Sequence, residues 1–327
     1  MFNNLINVHD LSKFAEKIRQ RQFDWIRSKL TFGKRKRIKQ TWERVEEPPT
    51  NWWNVAGIGE HWNHLISGDP QVDYYEYITR KYFVDRRSLL ALSLACGSGE
   101  RELRWTELGK FERIDAYDLS EARIECARSR AEEKGLGKII NYLVADVYDL
   151  QIRENYYDVI LAEQALHHFS PLEEILLRAN RSLKEGGYFI ANEFVGPTRF
   201  QWTDRQLEVV NGILSILPAK YKTRWDNGSV KSRVFRPGRL SMVLVDPSEA
   251  VESSKILPLL YRIFNVIEVK GYGGTILQTL FSSIAHNFHS EDPETKNFIK
   301  LCFNIEDLLL GSGDIQSDFV VAVCQKR

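Results

Sequence analysis

The sequence predicts an α/β protein built on a mostly parallel sheet, and three observations carry that expectation. From Ser88 to Phe194, apolar runs of strand length alternate with segments whose apolar residues recur at helical spacing. Glycines at 135, 137, 186 and 187 stand where those helices should stop. Polar residues able to do chemistry gather just past the ends of the apolar runs, the edge at which open parallel sheets take ligands.

The elements follow in order. Residues 10–30 read as a helix capped by Asp10 or Ser12, with Leu11, Phe14, Ile18, Trp25 and Ile26 on one face and Lys and Arg opposite. The basic run Lys34–Arg37 with Lys39 comes next, and Pro48-Pro49 closes residues 1–50 as a linker. Residues 51–87 read as an aromatic helical cap, two helices joined by a turn at Gly68-Asp69-Pro70. The core then runs from 88 to 327. Its first strand is LLALSL, followed by a helix at about 100–109, a strand over 113–117 and a helix at about 120–134. Strands follow over 139–145 and 157–162, then a helix over 171–184 halted by Gly186-Gly187, and the strand YFIANEF. After residue 196 the alternation breaks, which marks insertions at about 197–248 and 271–314. Residues 203–217 read as helix, 220–240 as loop, and the stretch from Asp246 as a capped helix leading into the strand NVIEVKG. Residues 275–311 read as mostly helical, and DFVVAVCQK as the last strand.

Composition removes several function classes. The 327 residues are 43% hydrophobic and 27% charged, enough apolar surface to exclude wholesale disorder. Lys+Arg number 45 and Asp+Glu 44, a balance unlike that of a nucleic-acid binder, so no nucleic acid is expected as a partner. The first fifty residues carry 12 basic and 6 acidic side chains, a stretch that can meet an anionic membrane surface. No apolar run approaches the roughly 18 residues of a membrane span, and no basic start precedes an apolar stretch as in a secretory leader. Cys96, Cys126, Cys302 and Cys324 form no C-x-x-C pair, which argues against a disulfide scaffold or zinc site and fits a reducing, cytoplasmic setting.

The chemistry concentrates at the strand ends. The first strand closes on Leu94-Ala95-Cys96-Gly97-Ser98-Gly99, where glycines let a ligand approach backbone amides at a helix start. Asp118 ends the second strand 19 residues after Gly99, the spacing at which an acid grips the ribose hydroxyl pair of a nucleotide. The other reading of Asp118 is a helix N-cap, a role Ser120 can fill. Asp146 and Val147 follow the third strand, and Glu163-Gln164-Ala165-Leu166-His167-His168 follow the fourth.

Taken together, LSLACGSG, AYDLS, VADVYDL, YDVILAEQALHHF and LKEGGYFIANEF resemble, in order and spacing, the class I S-adenosylmethionine-dependent methyltransferases. The resemblance is strong over about 88–196 and departs from the pattern at Ser93, where the family carries an acid, and at Ala95, where it carries a glycine. It implies a Rossmann-like, doubly wound, mostly parallel seven-stranded sheet whose last strand inserts antiparallel. It also implies S-adenosyl-L-methionine as cofactor. Ala95, Cys96, Gly97 and Gly99 would line its methionine part, and Asp118 would take the ribose hydroxyls with Leu119 against the adenine. Asp146 and Val147 would meet the adenine edge, and Glu163 and Gln164 the sulfonium end.

The expected activity is methyl transfer by direct displacement to a small-molecule, saccharide or lipid-linked acceptor, with oxygen as the methylated atom. A base is useful there, and its candidates are His167, His168 and Glu193, with His168 and Glu193 preferred as the catalytic residues. Trp52, Trp53, Trp62, Tyr74, Tyr75 and Tyr77 before the core, and Trp202, Trp225, Arg233 and Tyr272 after it, supply the expected acceptor pocket or a secondary aromatic core. His286 and His289 stand three apart without a partnering acid, and no metal is expected. Two other readings remain. One is a cofactor-binding but inactive partner or regulatory protein, for which Ser93 and Ala95 speak. The other is an NAD-dependent oxidoreductase, against which Glu102 speaks by occupying the third glycine position of the dinucleotide fingerprint.

Overall fold

The computed structural model describes residues 50–289 and 291–327. The helix expected over 10–30, the linker after it and the membrane contact expected of that stretch lie outside the described residues. Seven strands form one sheet: β1 Leu89–Leu94, β2 Phe111–Asp118, β3 Ile140–Val144, β4 Tyr157–Glu163, β5 Leu183–Phe194, β6 Asn265–Gly271 and β7 Phe319–Gln325, in the order β3-β2-β1-β4-β5-β7-β6. β3 to β5 run parallel, and β7 is antiparallel to both β5 and β6. This is the topology the sequence resemblance implies.

Strand alternation builds two apolar layers. Ala91, Val159, Leu161 and Ile190 face one side of the sheet, while Leu92, Ile160, Ala162, Phe189 and Ala191 face the other. The first side is covered by α3 (Glu100–Glu107) and α4 (Glu121–Glu133) through Leu103, Trp105, Ile124 and Ala127. The second is covered by α5 (Leu172–Ser182) and α8 (Ile256–Ile263), whose buried residues recur at helical spacing: Leu172, Ile175, Leu176 and Ala179, then Ile256, Leu259, Leu260 and Ile263. α1 (Ile58–Ser67) and α2 (Tyr74–Tyr82) precede the sheet. Asp73 caps α2 by accepting from the Glu76 amide, and Glu268 of β6 binds the Tyr77 and Tyr82 hydroxyls and pairs with Lys81, tying α2 to the sheet edge. The remaining helices are α6 (Asp204–Ile216), α7 (Arg239–Val245), α9 (Leu277–Phe281) and α10 (Pro293–Gly311).

Three local expectations change. Gly186-Gly187 do not stop a helix: α5 ends at Ser182, and the glycines lie inside β5 at its register shift against β4. A Cβ on Gly187 would stand 2.9 Å from the Lys184 carbonyl oxygen and 3.1 Å from that of Asp158, so the bulge admits only glycine there. Part of the expected 220–240 loop continues into α7 at Arg239. The stretch from Asp246 is not yet helix, because the Asp246 carboxylate accepts from the Ser248 amide and hydroxyl, both at 2.7 Å, and folds the chain into a turn. The helix starts only at Ile256.

Candidate active site

The carboxyl ends of β1, β2 and β3 make the first half of the site. Beyond β1 the chain turns through three left-handed residues, Ala95 (φ 55°), Gly97 (φ 58°) and Gly99 (φ 79°). Ala95 holds this conformation without being glycine, a strain of the kind that gathers at functional loops. Gly99 has a packing reason as well: a Cβ there would lie 2.5 Å from the Tyr142 hydroxyl oxygen and 2.7 Å from the Ala127 Cβ. Asp118 fastens the loop to β2, one oxygen accepting from the Gly97 amide at 3.0 Å and the other from the Ser120 amide at 2.8 Å. Ser120 caps α4 by accepting from the Arg123 amide, so Asp118 is not that helix's cap. Each Asp118 oxygen keeps lone-pair capacity for a further donor. Leu119 is half-buried beside it. Asp146 accepts from the Tyr148 amide at 3.0 Å past β3, and Val147 is buried with its carbonyl held by Arg178. Every residue named for the nucleotide thus stands along one edge.

At Ser93, where the family pattern carries an acid, the hydroxyl donates to Glu102 of α3 at 2.6 Å. Both side chains are buried. A carboxyl group is therefore present behind the glycine loop, supplied by the helix and not by the strand.

β4 delivers the second half. Glu163 is buried, and one of its oxygens accepts from the Trp105 indole at 2.7 Å while the other faces Arg101 at 3.9 Å. Burial raises its pKa to about 7, against the lowering pull of Arg101. Gln164 is left-handed (φ 53°), and its amide and side-chain nitrogens both donate to the Asn192 carbonyl of β5. The Asn192 side chain accepts from the Tyr272 hydroxyl at 2.5 Å, and Trp62 lies against Tyr272 with ring centroids 5.2 Å apart. Of the expected pocket aromatics, Trp52 packs on Trp62 and Phe319, and Tyr74 and Tyr75 pack on Trp105. Trp202 stacks on Phe200, whereas Trp53 and Trp225 are exposed.

Of the three base candidates, Glu193 and His167 meet, and His168, preferred with Glu193 as catalytic, does not reach Glu193. Glu193 has no exposed surface, and its carboxylate is fully engaged. One oxygen accepts from the Ala165 and Leu166 amides, and the other meets His167 Nδ1 at 2.7 Å. The reason is local: Leu166–His168 form a 3-10 turn, so neighbouring side chains diverge by about 120° and only His167 points at β5. Glu193 therefore holds the orientation of the His167 ring. On its other side His167 Nε2 faces Glu249 at 3.9 Å. Burial opposes charge on His167, but Glu193 and Glu249 outweigh it and raise its pKa above the ordinary value. His168 stacks against His167 at 4.1 Å with its Nδ1 3.5 Å from the Ser248 hydroxyl, and burial together with His167 pushes its pKa well down.

Glu249 was not singled out in the sequence because it lies 82 positions after His167 on a stretch that reads as a helix start. Arg199 brings it in. Its guanidinium donates to the carbonyls of Asp246 (3.2 Å), Pro247 (2.7 Å) and Glu249 (2.9 Å), and the Val251 amide donates to the His167 carbonyl at 2.9 Å. Arg199, Phe200 and Ala250 are all left-handed non-glycine residues, so this junction is strained. Ligand-type atoms of His167, His168 and Glu249 lie within 4.8 Å of one another. His286 and His289 join no such group among the described residues, and His289 instead shares a hydrogen bond with Thr50 at 2.7 Å.

Comparison with known proteins agrees with this geometry. Residues 92–191 match the methyltransferase domain family. Over 142 residues the chain is 34% identical to a ubiquinone/menaquinone biosynthesis C-methyltransferase, UbiE, of Acidiphilium cryptum, covering 43% of this chain and 56% of that one. Its counterpart in Dinoroseobacter shibae is 26% identical over 141 residues, with the same shares covered. The chain thus spans little more than half the length of these relatives. A geranyl diphosphate methyltransferase solved with GPP and sinefungin shares the fold, with a TM-score of 0.50 and 14% identity over 90% of this chain and 99% of that one. None of the described helices is long and apolar enough to cross a membrane. With its left-handed loop after β1, Asp118 after β2 and an antiparallel β7 closing the sheet, the chain carries a methyltransferase domain over residues 92–191, on a fold shared with S-adenosylmethionine-dependent methyltransferases.

Proposed function

We propose that this protein methylates a small-molecule acceptor held over the carboxyl ends of β4 and β5, with His167 as the base that takes the acceptor's proton. The observation that carries this reading is the Glu193–His167–Glu249 array. Glu193 fixes the imidazole through Nδ1, which leaves Nε2 as the basic atom, and its raised pKa suits proton removal near neutrality. A base of this kind contributes about 100–10,000-fold when the nucleophile is a hydroxyl. His168, depressed and neutral, packs beside it.

For the cofactor, Ala95, Cys96, Gly97 and Gly99 would hold the methionine part, and Asp118 and Leu119 the nucleoside. Asp146 and Val147 would meet the base edge, with Glu163 and Gln164 toward the sulfonium. The residues fit such a ligand: a left-handed loop turns about β1, and Asp118 stands at its tip with acceptor capacity left. The bound cofactor supplies an activated methyl group. The protein's part is to orient the acceptor, exclude water with Trp62, Tyr272 and Trp202, and remove a proton at His167.

Oxygen is the favoured methylated atom, because the built base answers the need of a hydroxyl. A saccharide or lipid-linked alcohol is the favoured acceptor class. A ring carbon of a quinone-type acceptor is the second reading, suggested by the names of the UbiE relatives. Calorimetric titration with S-adenosylhomocysteine, then methyl transfer from S-adenosylmethionine to sugar, lipid-linked sugar and phenolic acceptors, tests the proposal. The expected result is micromolar binding and transfer that His167→Ala abolishes and chelators leave unchanged. Folded protein that binds NAD in place of S-adenosylhomocysteine overturns it. Cofactor binding without transfer to any acceptor points to the regulatory alternative.

A further inference from the structure

The inside of the glycine loop holds an incomplete hydrogen-bond arrangement. Glu102, in the first turn of α3, accepts from Ser93 through Oε1, while its Oε2 is wholly buried and has no hydrogen-bond partner among the described residues. A buried carboxyl oxygen left in this state is costly in either protonation state: ionised it lacks a donor, and protonated it lacks an acceptor. Burial raises the Glu102 pKa, opposed by the Ser93 hydroxyl, the residue's own amide and Arg101. The surroundings locate it. Ser93 stands two residues before Ala95 and Glu102 three residues after Gly99, so their hydrogen bond closes the base of the Ala95–Gly99 turn. Tyr142 closes the same space from β3, donating to the Gly99 carbonyl at 2.9 Å.

We propose that Glu102 is the ammonium-binding carboxylate of the cofactor site, Ser93 being its positioning residue, so that the acid expected at the end of β1 has moved to the first turn of the following helix. This rests on the cofactor reading above. The chemistry is selective. The amino-acid end of S-adenosylmethionine or S-adenosylhomocysteine offers a cationic donor with three protons, the partner an unsatisfied carboxylate oxygen lacks. The nucleoside end offers hydroxyls and ring nitrogens, for which Asp118 and Asp146 would be the partners. Ser93 is then no defect in the motif. An acid at position 93 beside Glu102 would place two carboxyl groups on one site, each disfavouring ionisation of the other.

Glu102→Gln keeps an oxygen for Ser93 and removes the charge. Binding of S-adenosylhomocysteine and of 5′-methylthioadenosine, which lacks the amino-acid end, is measured by calorimetry on wild type, Glu102→Gln and the double variant Ser93→Asp/Glu102→Gln, each shown folded by circular dichroism. The expected result is a loss of about tenfold or more for S-adenosylhomocysteine in Glu102→Gln. Binding of 5′-methylthioadenosine stays unchanged, and the double variant recovers most of the loss. Equal weakening of both ligands assigns Glu102 a purely structural role and overturns the proposal, as does undiminished S-adenosylhomocysteine binding. Wild type that binds neither ligand overturns the cofactor reading itself, and this assignment with it.

Discussion

Glu193 and Glu306 are both wholly buried, and each accepts from backbone amides, yet the two regions they serve differ. Glu306 of α10 reaches the start of α9 and takes the amides of Gly274 (2.9 Å), Ile276 (2.6 Å) and Leu277 (3.1 Å), so everything it holds is backbone. Glu193 of β5 takes two amides and gives its second oxygen to an imidazole that faces another carboxylate. A buried acid that ends on amides is a clamp. One that ends on a titratable side chain also sets the orientation and charge of that side chain, and the fold needs both kinds.

The comparison breaks most visibly in turnover. His167→Ala is expected to lower kcat by about 100–10,000-fold with little change in S-adenosylhomocysteine affinity. A variant that keeps its rate removes the imidazole from the mechanism. Glu306→Ala exposes three buried amide donors at once and is expected to destabilise by about 3 kcal/mol or more in urea unfolding, while kcat per folded molecule holds. Loss of rate at full stability there would merge the two regions into one. A smaller effect is expected of Glu249→Gln. As the proposed base His167 would work only when neutral, so its raised pKa should make activity fall on the acidic side from a higher pH than an ordinary histidine would give. Burial and Arg101 lower that pKa, and Glu193 and Glu249 raise it, so removing the Glu249 charge shifts the acidic limb of kcat/KM to lower pH. An unmoved limb detaches Glu249 from the base.

A separate effect lies in stability against pH. Asp318, buried and held by Gln206 at 2.8 Å, has its pKa raised from 3.8 to about 7 by burial. The folded state then binds a proton that the unfolded chain has released. Its contribution is present below about pH 4 and lost as pH rises toward 7. Asp318→Asn should flatten the stability profile over that window, and an unchanged slope would show that other groups set it.

The strand-end positions expected to meet the cofactor were legible in the chain as places on the sheet edge. Gly97, Gly99, Asp118, Asp146 and Glu163 are read directly because each sits at a strand end, where sequence position and place on the sheet edge are the same thing. The histidine cluster was legible only as a set of candidates. His167 and His168 are adjacent in sequence and alike in type, and the 3-10 turn that separates their directions leaves no pattern to read. Glu249 and Arg199 were invisible as partners, since the carbonyl grip that joins them spans fifty positions.

What the sequence determined by itself is the alternation of strands and helices, the parallel sheet with its ligand edge, and the place of the glycine loop. Those follow from periodicity and turn chemistry, which act between residues a few positions apart. Only the tertiary structure decided which carboxylate serves which partner: Glu193 for His167, Glu102 for Ser93, Glu306 for α9. Burial there leaves no water to satisfy a carboxyl group, so its partners are whatever side chains and amides the packing brings within hydrogen-bond reach.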